Sequence, residues 1–127
     1  MVTRDTTPSG FTLIELLVVL AILALLITIA TPRYFHGVDK AKEATLRSDL
    51  RTMREAIDQY YADHARYPED MHELVQRGYL RRIPVDPVTE SVETWQLVAP
   101  EGEIEGVTDI RSGAQGVGED GVPYVEW

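Results

Sequence analysis

The sequence predicts an α+β protein in which one long N-terminal α-helix, transmembrane in its first half, packs its second half against a small antiparallel β-sheet. Three observations carry this. Phe11 to Ala30 is an apolar run broken only by Glu15 and by Thr12 and Thr28. From Leu46 onward, Leu50, Met53, Ile57, Tyr60 or Tyr61, and His64 recur at three- and four-residue steps, the period of one helical face. The remainder breaks into short segments between prolines and glycines, and Val92 to Val98 alternates as a strand does.

The apolar run comes first. About 20 helical residues rising ~1.5 Å each cover ~30 Å, the thickness of a bilayer core. The core helix of a soluble protein seldom stays apolar on every face for that length. A cleaved secretory signal is the competing reading, but it needs a basic start, a shorter apolar stretch and a small-residue cleavage site beyond it. Here the leading Met1 to Gly10 is polar and its Arg4 and Asp5 cancel, while the downstream Ile29-Ala30-Thr31-Pro32 is a weak cleavage site. Three segments follow: a polar start over 1–10, a membrane helix over 11–35, and a head outside the membrane over 36–127.

Composition limits the function. The chain has 127 residues, room for one small domain beside one long element, and a formal charge of −9. Such a balance repels phosphate backbones, so no nucleic-acid partner is expected. Arg77, Arg81 and Arg82 form a local basic patch that also reads as a solvated helix end. There is no cysteine, which excludes disulfide staples and thiol chemistry. His36, His64 and His72 lack metal-site spacing, and no phosphate-binding, dinucleotide or nucleophile-elbow motif appears. Nothing supports an enzyme, and no cofactor is expected from these residues.

The stretch Gly10-Phe11-Thr12-Leu13-Ile14-Glu15-Leu16-Leu17-Val18-Val19 resembles the leader and helix start of the type IV pilin and pseudopilin superfamily. The resemblance implies cleavage after Gly10 by a prepilin peptidase, N-methylation of the new terminus at Phe11, and retention of the apolar helix. It also implies a homo-oligomeric helical filament, built with minor pseudopilins on a bacterial inner-membrane platform, the head lying in the periplasm. Glu15 fits that frame physically. A lone carboxylate inside a bilayer costs about 2.5–3.5 kcal/mol and calls for a partner. Cleavage would create one, the α-amine of Phe11, and Glu15 is therefore the candidate subunit-assembly residue. The plainer alternative is a glutamate that only snorkels to the interface.

Pro32 follows the apolar run, where a missing N–H predicts a kink or local break, or simply the end of the membrane helix. A second helical stretch from about 38 to 64 is expected to continue the first. Its polar face offers Glu43–Arg47, Arg51–Glu55 and Arg54–Asp58 as i,i+4 pairs, each worth about 0.2–0.5 kcal/mol. Tyr67-Pro68 ends it, Glu69 to Gln76 predicts a short helix stopping at Gly78, and turns follow at Pro84 and Asp86-Pro87. Val92 to Val98 is the first predicted strand, with Trp95 and Leu97 on one face, and Gly106 to Ile110 the second.

Tyr67-Pro68, Gly78-Tyr79-Leu80 and Ile83-Pro84-Val85-Asp86-Pro87 resemble the region between helix and sheet in the major pseudopilins of type II secretion systems. Asp109-Ile110-Arg111-Ser112-Gly113-Ala114, then Asp120-Gly121 and Trp127, resemble their closing loop. In that group the loop often binds calcium. Here Gln115 stands where an aspartate usually follows the Gly-Ala pair, leaving Ser112, Glu119 and Asp120 as candidate ligands against the alternative of a solvated turn. The function this implies is a structural pseudopilus subunit acting in protein secretion across the outer membrane. The rivals are a type IV pilin of a surface fibre (motility, adhesion or DNA uptake) and a membrane-tethered binding domain.

Overall fold

The computed structural model describes residues 3–4 and 7–127; of the expected leader, Met1, Val2, Asp5 and Thr6 lie outside the described residues. Helix α1 is Leu13–His64, α2 is Met71–Gln76, and strands β1 (Gln96–Val98) and β2 (Asp109–Arg111) precede a 3-10 turn at Tyr124–Glu126. The chain divides into two compact units, Met1–Gly37 and Val38–Trp127. The arrangement is α+β, as the sequence predicts.

In the first unit every described residue is exposed, the apolar side chains included. This stretch of α1 is long and apolar enough to cross a membrane. The helical run passes through Pro32 without a break. The proline ring removes only the donor that would meet the Thr28 carbonyl. The Thr28 and Thr31 hydroxyls donate to the Ala24 and Ile27 carbonyls at 2.8 and 2.7 Å, one turn back.

The second unit has its own core. Leu46, Leu50, Met53, Ala56, Ile57 and Tyr60 of α1 are buried in one stripe under Met71 and Leu74 of α2, Leu80, Trp95, Val107, Ile110 and Trp127. The choice at 60/61 falls to Tyr60, which is fully buried while Tyr61 is 45 % exposed. His64 ends the stripe half-buried, its ring stacked on Tyr60 at 4.2 Å. Full burial of each large apolar side chain contributes about 1.5–3 kcal/mol, so this stripe is the main hold of the head.

Helix α2 starts two residues later than Glu69 because Asp70 caps it, its carboxylate accepting the Glu73 N–H at 2.8 Å. The Glu73 carboxylate in turn accepts the Glu69 N–H and the Arg66 guanidinium, both at 2.8 Å, and the Tyr60 hydroxyl at 2.5 Å. The Gly78 N–H donates to the Val75 carbonyl and the Tyr79 N–H to that of Leu74, a Schellman closure with Gly78 at φ +81°.

The two strands pair antiparallel, Gln96 opposite Arg111, Leu97 opposite Ile110 and Val98 opposite Asp109. Both are shorter than the sequence predicts, for local reasons. Asp86 accepts the Val88 and Thr89 N–H groups at 2.8 and 3.2 Å and bridges to Ser91, so the chain up to 91 is spent in a turn. Trp95 precedes β1 and is buried, its indole N–H donating to the Pro84 carbonyl at 2.8 Å, whereas Leu97 is exposed. The expected shared face of Trp95 and Leu97 is therefore absent. At the other strand, Gly106 has φ +117° and lies so close to Tyr67 that an added Cβ would sit 2.7 Å from its Cβ. The Val107 N–H is taken by the Pro68 carbonyl at 2.8 Å, which delays β2 to Asp109.

Candidate processing and assembly site

The predicted cleavage junction lies just ahead of α1. Gly10 is exposed, and among the described residues nothing stands within 4 Å of where its side chain would begin, so none of them demands a glycine there. Phe11 is 89 % exposed. Thr12 caps the helix, its hydroxyl accepting the Glu15 N–H at 3.3 Å while the Leu16 N–H donates to its carbonyl at 3.2 Å. Glu15 thus lies in the first helical turn, where the exposed N–H groups and the helix dipole favour a carboxylate. The signal for this was present in the sequence: Thr12-x-x-Glu15 is a capping-box pattern ahead of an apolar run. Gly10, Phe11 and Glu15 are so brought to one exposed end of a helix.

The candidate calcium ligands meet a different fate. The Ser112 hydroxyl is buried and donates to the equally buried Asp86 carboxylate at 2.6 Å. The Asp120 carboxylate is held by the Arg47 guanidinium and by the Val122 N–H at 2.9 Å, interactions that lower its pKa, the backbone hydrogen bond most. The Glu119 N–H donates to the Glu43 carboxylate at 3.0 Å. Ser112 and Asp120 thus answer to separate partners, and among the described residues no cluster of three acidic or histidine side chains offers a metal cage.

What sequence reasoning missed is a clasp made by one edge of α1. None of the three expected i,i+4 ion pairs forms among the described residues. Instead Glu43, nearly buried, accepts the Tyr124 hydroxyl at 2.9 Å as well as the Glu119 N–H. Burial, and then the Glu43 carboxylate, push the Tyr124 phenol up to about 12. Arg47 lies 3.8 Å over the Trp127 ring. Arg54 donates to the Asp109 carboxylate at 2.8 Å and to the Ile110 and Trp127 carbonyls at 2.9 and 2.8 Å. These residues recur along α1 at steps of four and seven, so a single helix edge reaches the whole closing segment. Nearby, Asp49 is pushed above the usual carboxylate range by burial and by Asp86, against the pull of Arg82.

Comparison with known proteins supplies the remaining evidence. Residues 8–31 match the profile described as the prokaryotic N-terminal methylation motif. The type II secretion system core protein G of Klebsiella michiganensis is 34 % identical over 94 % of this chain and 89 % of its own length. The protein of the same name from Klebsiella pneumoniae is 35 % identical over 90 % and 86 %. That from Pseudomonas aeruginosa is 34 % identical over 62 % and 67 %. No solved structure matches the chain. The matched motif covers Gly10, Phe11 and Glu15 together with the apolar run, and the match to the Klebsiella proteins extends over the head. With these lengths covered at these identities, the chain belongs to the family of type II secretion system core protein G, the major pseudopilins, and is a structural subunit rather than an enzyme.

Proposed function

We propose that the chain is cut after Gly10, methylated on Phe11, and held by residues 11–35 in a bacterial inner membrane with its head in the periplasm until it is stacked into a periplasm-spanning filament. The observation that carries this is the pairing of an exposed Gly10–Phe11 junction with an α1 start whose apolar residues are exposed throughout the described first unit. An unsupported apolar helix needs lipid before assembly and neighbouring copies of itself after it. Glu15 is the residue proposed to set register, its carboxylate meeting the α-amine of a neighbouring Phe11 in a medium of low dielectric. Pro32, with one backbone hydrogen bond already missing, is the proposed place for α1 to bend during packing. Minor pseudopilins and an inner-membrane platform are the proposed assembly partners. Calcium has no part in this reading.

Mass spectrometry of detergent-extracted protein tests the first step. The expected terminus is methylated Phe11. A mature chain that begins near Thr31 would sink the filament reading, because the helix proposed to build the filament would be gone.

A further inference from the structure

The closing segment, residues 116–127, is tied together twice, once within itself and once to α1. Within it, the Gly118 carbonyl accepts the Gly121 N–H at 3.0 Å, the Val122 carbonyl accepts the Gly118 N–H at 2.9 Å, and the Gly116 carbonyl accepts the Tyr124 N–H at 3.2 Å. Carbonyls that a loop-bound cation would draw on thus already serve the loop's own turns. Toward α1, Arg47 meets the segment at two separate points, donating to the Asp120 carboxylate and lying 3.8 Å over the Trp127 ring. That ring is 8 % exposed, and its indole N–H has no hydrogen-bond partner among the described residues. Packing holds it instead: the Tyr124 ring meets it edge-on at 5.0 Å, and a Cβ added to Gly118 would sit 2.4 Å from its Cζ2. One turn before Arg47, the Glu43 carboxylate takes the Glu119 N–H and the Tyr124 hydroxyl, so one helix edge offers the segment both signs of charge.

We propose that Arg47 is the resident cation of this segment, standing in the role that the resemblance to the major pseudopilins gives to calcium, so that the head is latched by its own chain. The disagreement with that resemblance has a chemical basis. Calcium takes about six to eight oxygen ligands, several of them anionic. Here the Ser112 hydroxyl is spent on buried Asp86, and exposed Gln115 carries no charge. Asp120 already faces a guanidinium, whose fixed positive charge repels a second cation from the same carboxylate. An exposed ion pair alone contributes little, and the Arg47 side chain is half exposed. Its weight comes from serving two contacts at once. The N–H groups bind a carboxylate while the face of the same rigid plane covers a desolvated ring, so a single ordering cost supports both. A lysine, a point charge on a flexible stem, could satisfy only the first.

Hydrogen–deuterium exchange on the full chain in detergent reads the latch directly. The N–H groups of Gly118, Glu119, Gly121, Val122 and Tyr124 are all hydrogen-bonded and so report on the segment. Arg47→Gln should speed their exchange about tenfold while the stretch from Leu50 to Tyr60 stays protected. Arg47→Lys should fall between, and Asp120→Asn should give a smaller rise because the stack on Trp127 remains. Arg51→Gln, one turn along the helix, should change nothing. Millimolar calcium or a chelator should leave the unsubstituted chain as it is. Unchanged exchange of the segment in Arg47→Gln would overturn the proposal, and so would a rise spread evenly over the whole head, which marks a general loss of stability. Protection in the unsubstituted chain that a chelator removes would overturn it as well. The measurement is made on the unassembled subunit, so its failure leaves the filament reading standing.

Discussion

The two halves of α1 share one backbone and obey opposite rules. Up to Gly37 its apolar residues face outward on every side, whereas from Leu46 to Tyr60 they form a stripe buried beneath the rest of the head. The second half therefore carries its own stabilising partner, and the first finds none among the described residues of its own unit. A helix apolar all round is at rest only in lipid or among like helices, while an amphipathic one is complete once a single face is covered. On the proposed function stability belongs to the head and assembly to the apolar half of α1, and substitutions should separate the two properties.

The largest effect is expected at Glu15. Glu15→Val removes one charge of the proposed pair and leaves the other unmet, a loss of about 2–5 kcal/mol per docking step. Sheared-filament yield should collapse while cleavage after Gly10 and membrane insertion continue, and Glu15→Asp should fall between. Normal filaments from Glu15→Val would leave the glutamate as nothing more than the second half of a helix cap.

Next comes the stripe. Ile57→Ala should destabilise the head by about 2–5 kcal/mol, read as a fall in melting temperature, because its cavity is enclosed. Leu23→Ala, on the exposed apolar half of α1 and outside the core of the head, should leave that melting temperature in place. Equal effects from both would erase the contrast between the halves. Arg54→Ala should follow at about 1–3 kcal/mol, since it strips charged hydrogen bonds from Asp109, Ile110 and Trp127 at a half-exposed site. Arg51→Ala, one turn away and without such links, is the control.

A smaller effect is expected in acid. The Arg66 and Tyr60 hydrogen bonds, followed by that of the Glu69 N–H, hold Glu73 down at about 2 from an ordinary 4.5. Its folded-state pKa is depressed, so its contribution is complete above about pH 4.5 and fades as pH falls toward 2. Glu73→Gln should lower stability at neutral pH and flatten that acid limb in denaturant titrations. The least effect is expected from metal. With Asp120 held by Arg47, neither a chelator nor added calcium should shift the melting temperature. A rise with calcium would show that the loop reorganises around the ion.

Legibility differed in kind between the regions. The motif around Gly10-Phe11, the apolar run and the stripe could be read because each rests on residue type and period within a short window. The capping role of Thr12 toward Glu15 was equally local and was passed over because the apolar run commanded the reading. The charged edge of α1 was misread for a different reason. Glu43 and Arg47 face each other at i,i+4 and Arg54 has Asp58, pairs that look adequate, and only the folded chain shows stronger partners in the closing segment, a backbone N–H and a tyrosine hydroxyl among them.

By itself, then, the sequence determined two properties of α1, the all-round apolarity of its first half and the stripe on its second half that needs a cover, while its continuity through Pro32 appeared only in the structure. Those follow from spacing along a single element, which is the same in any environment. Which residues supply the cover, where β1 and β2 begin, and which acid each arginine of α1 meets were decided by the tertiary structure. Such choices are competitions between partners far apart in the chain, and burial settles them: an interior position fully desolvates the polar groups it receives, so the pairing that satisfies most of them wins.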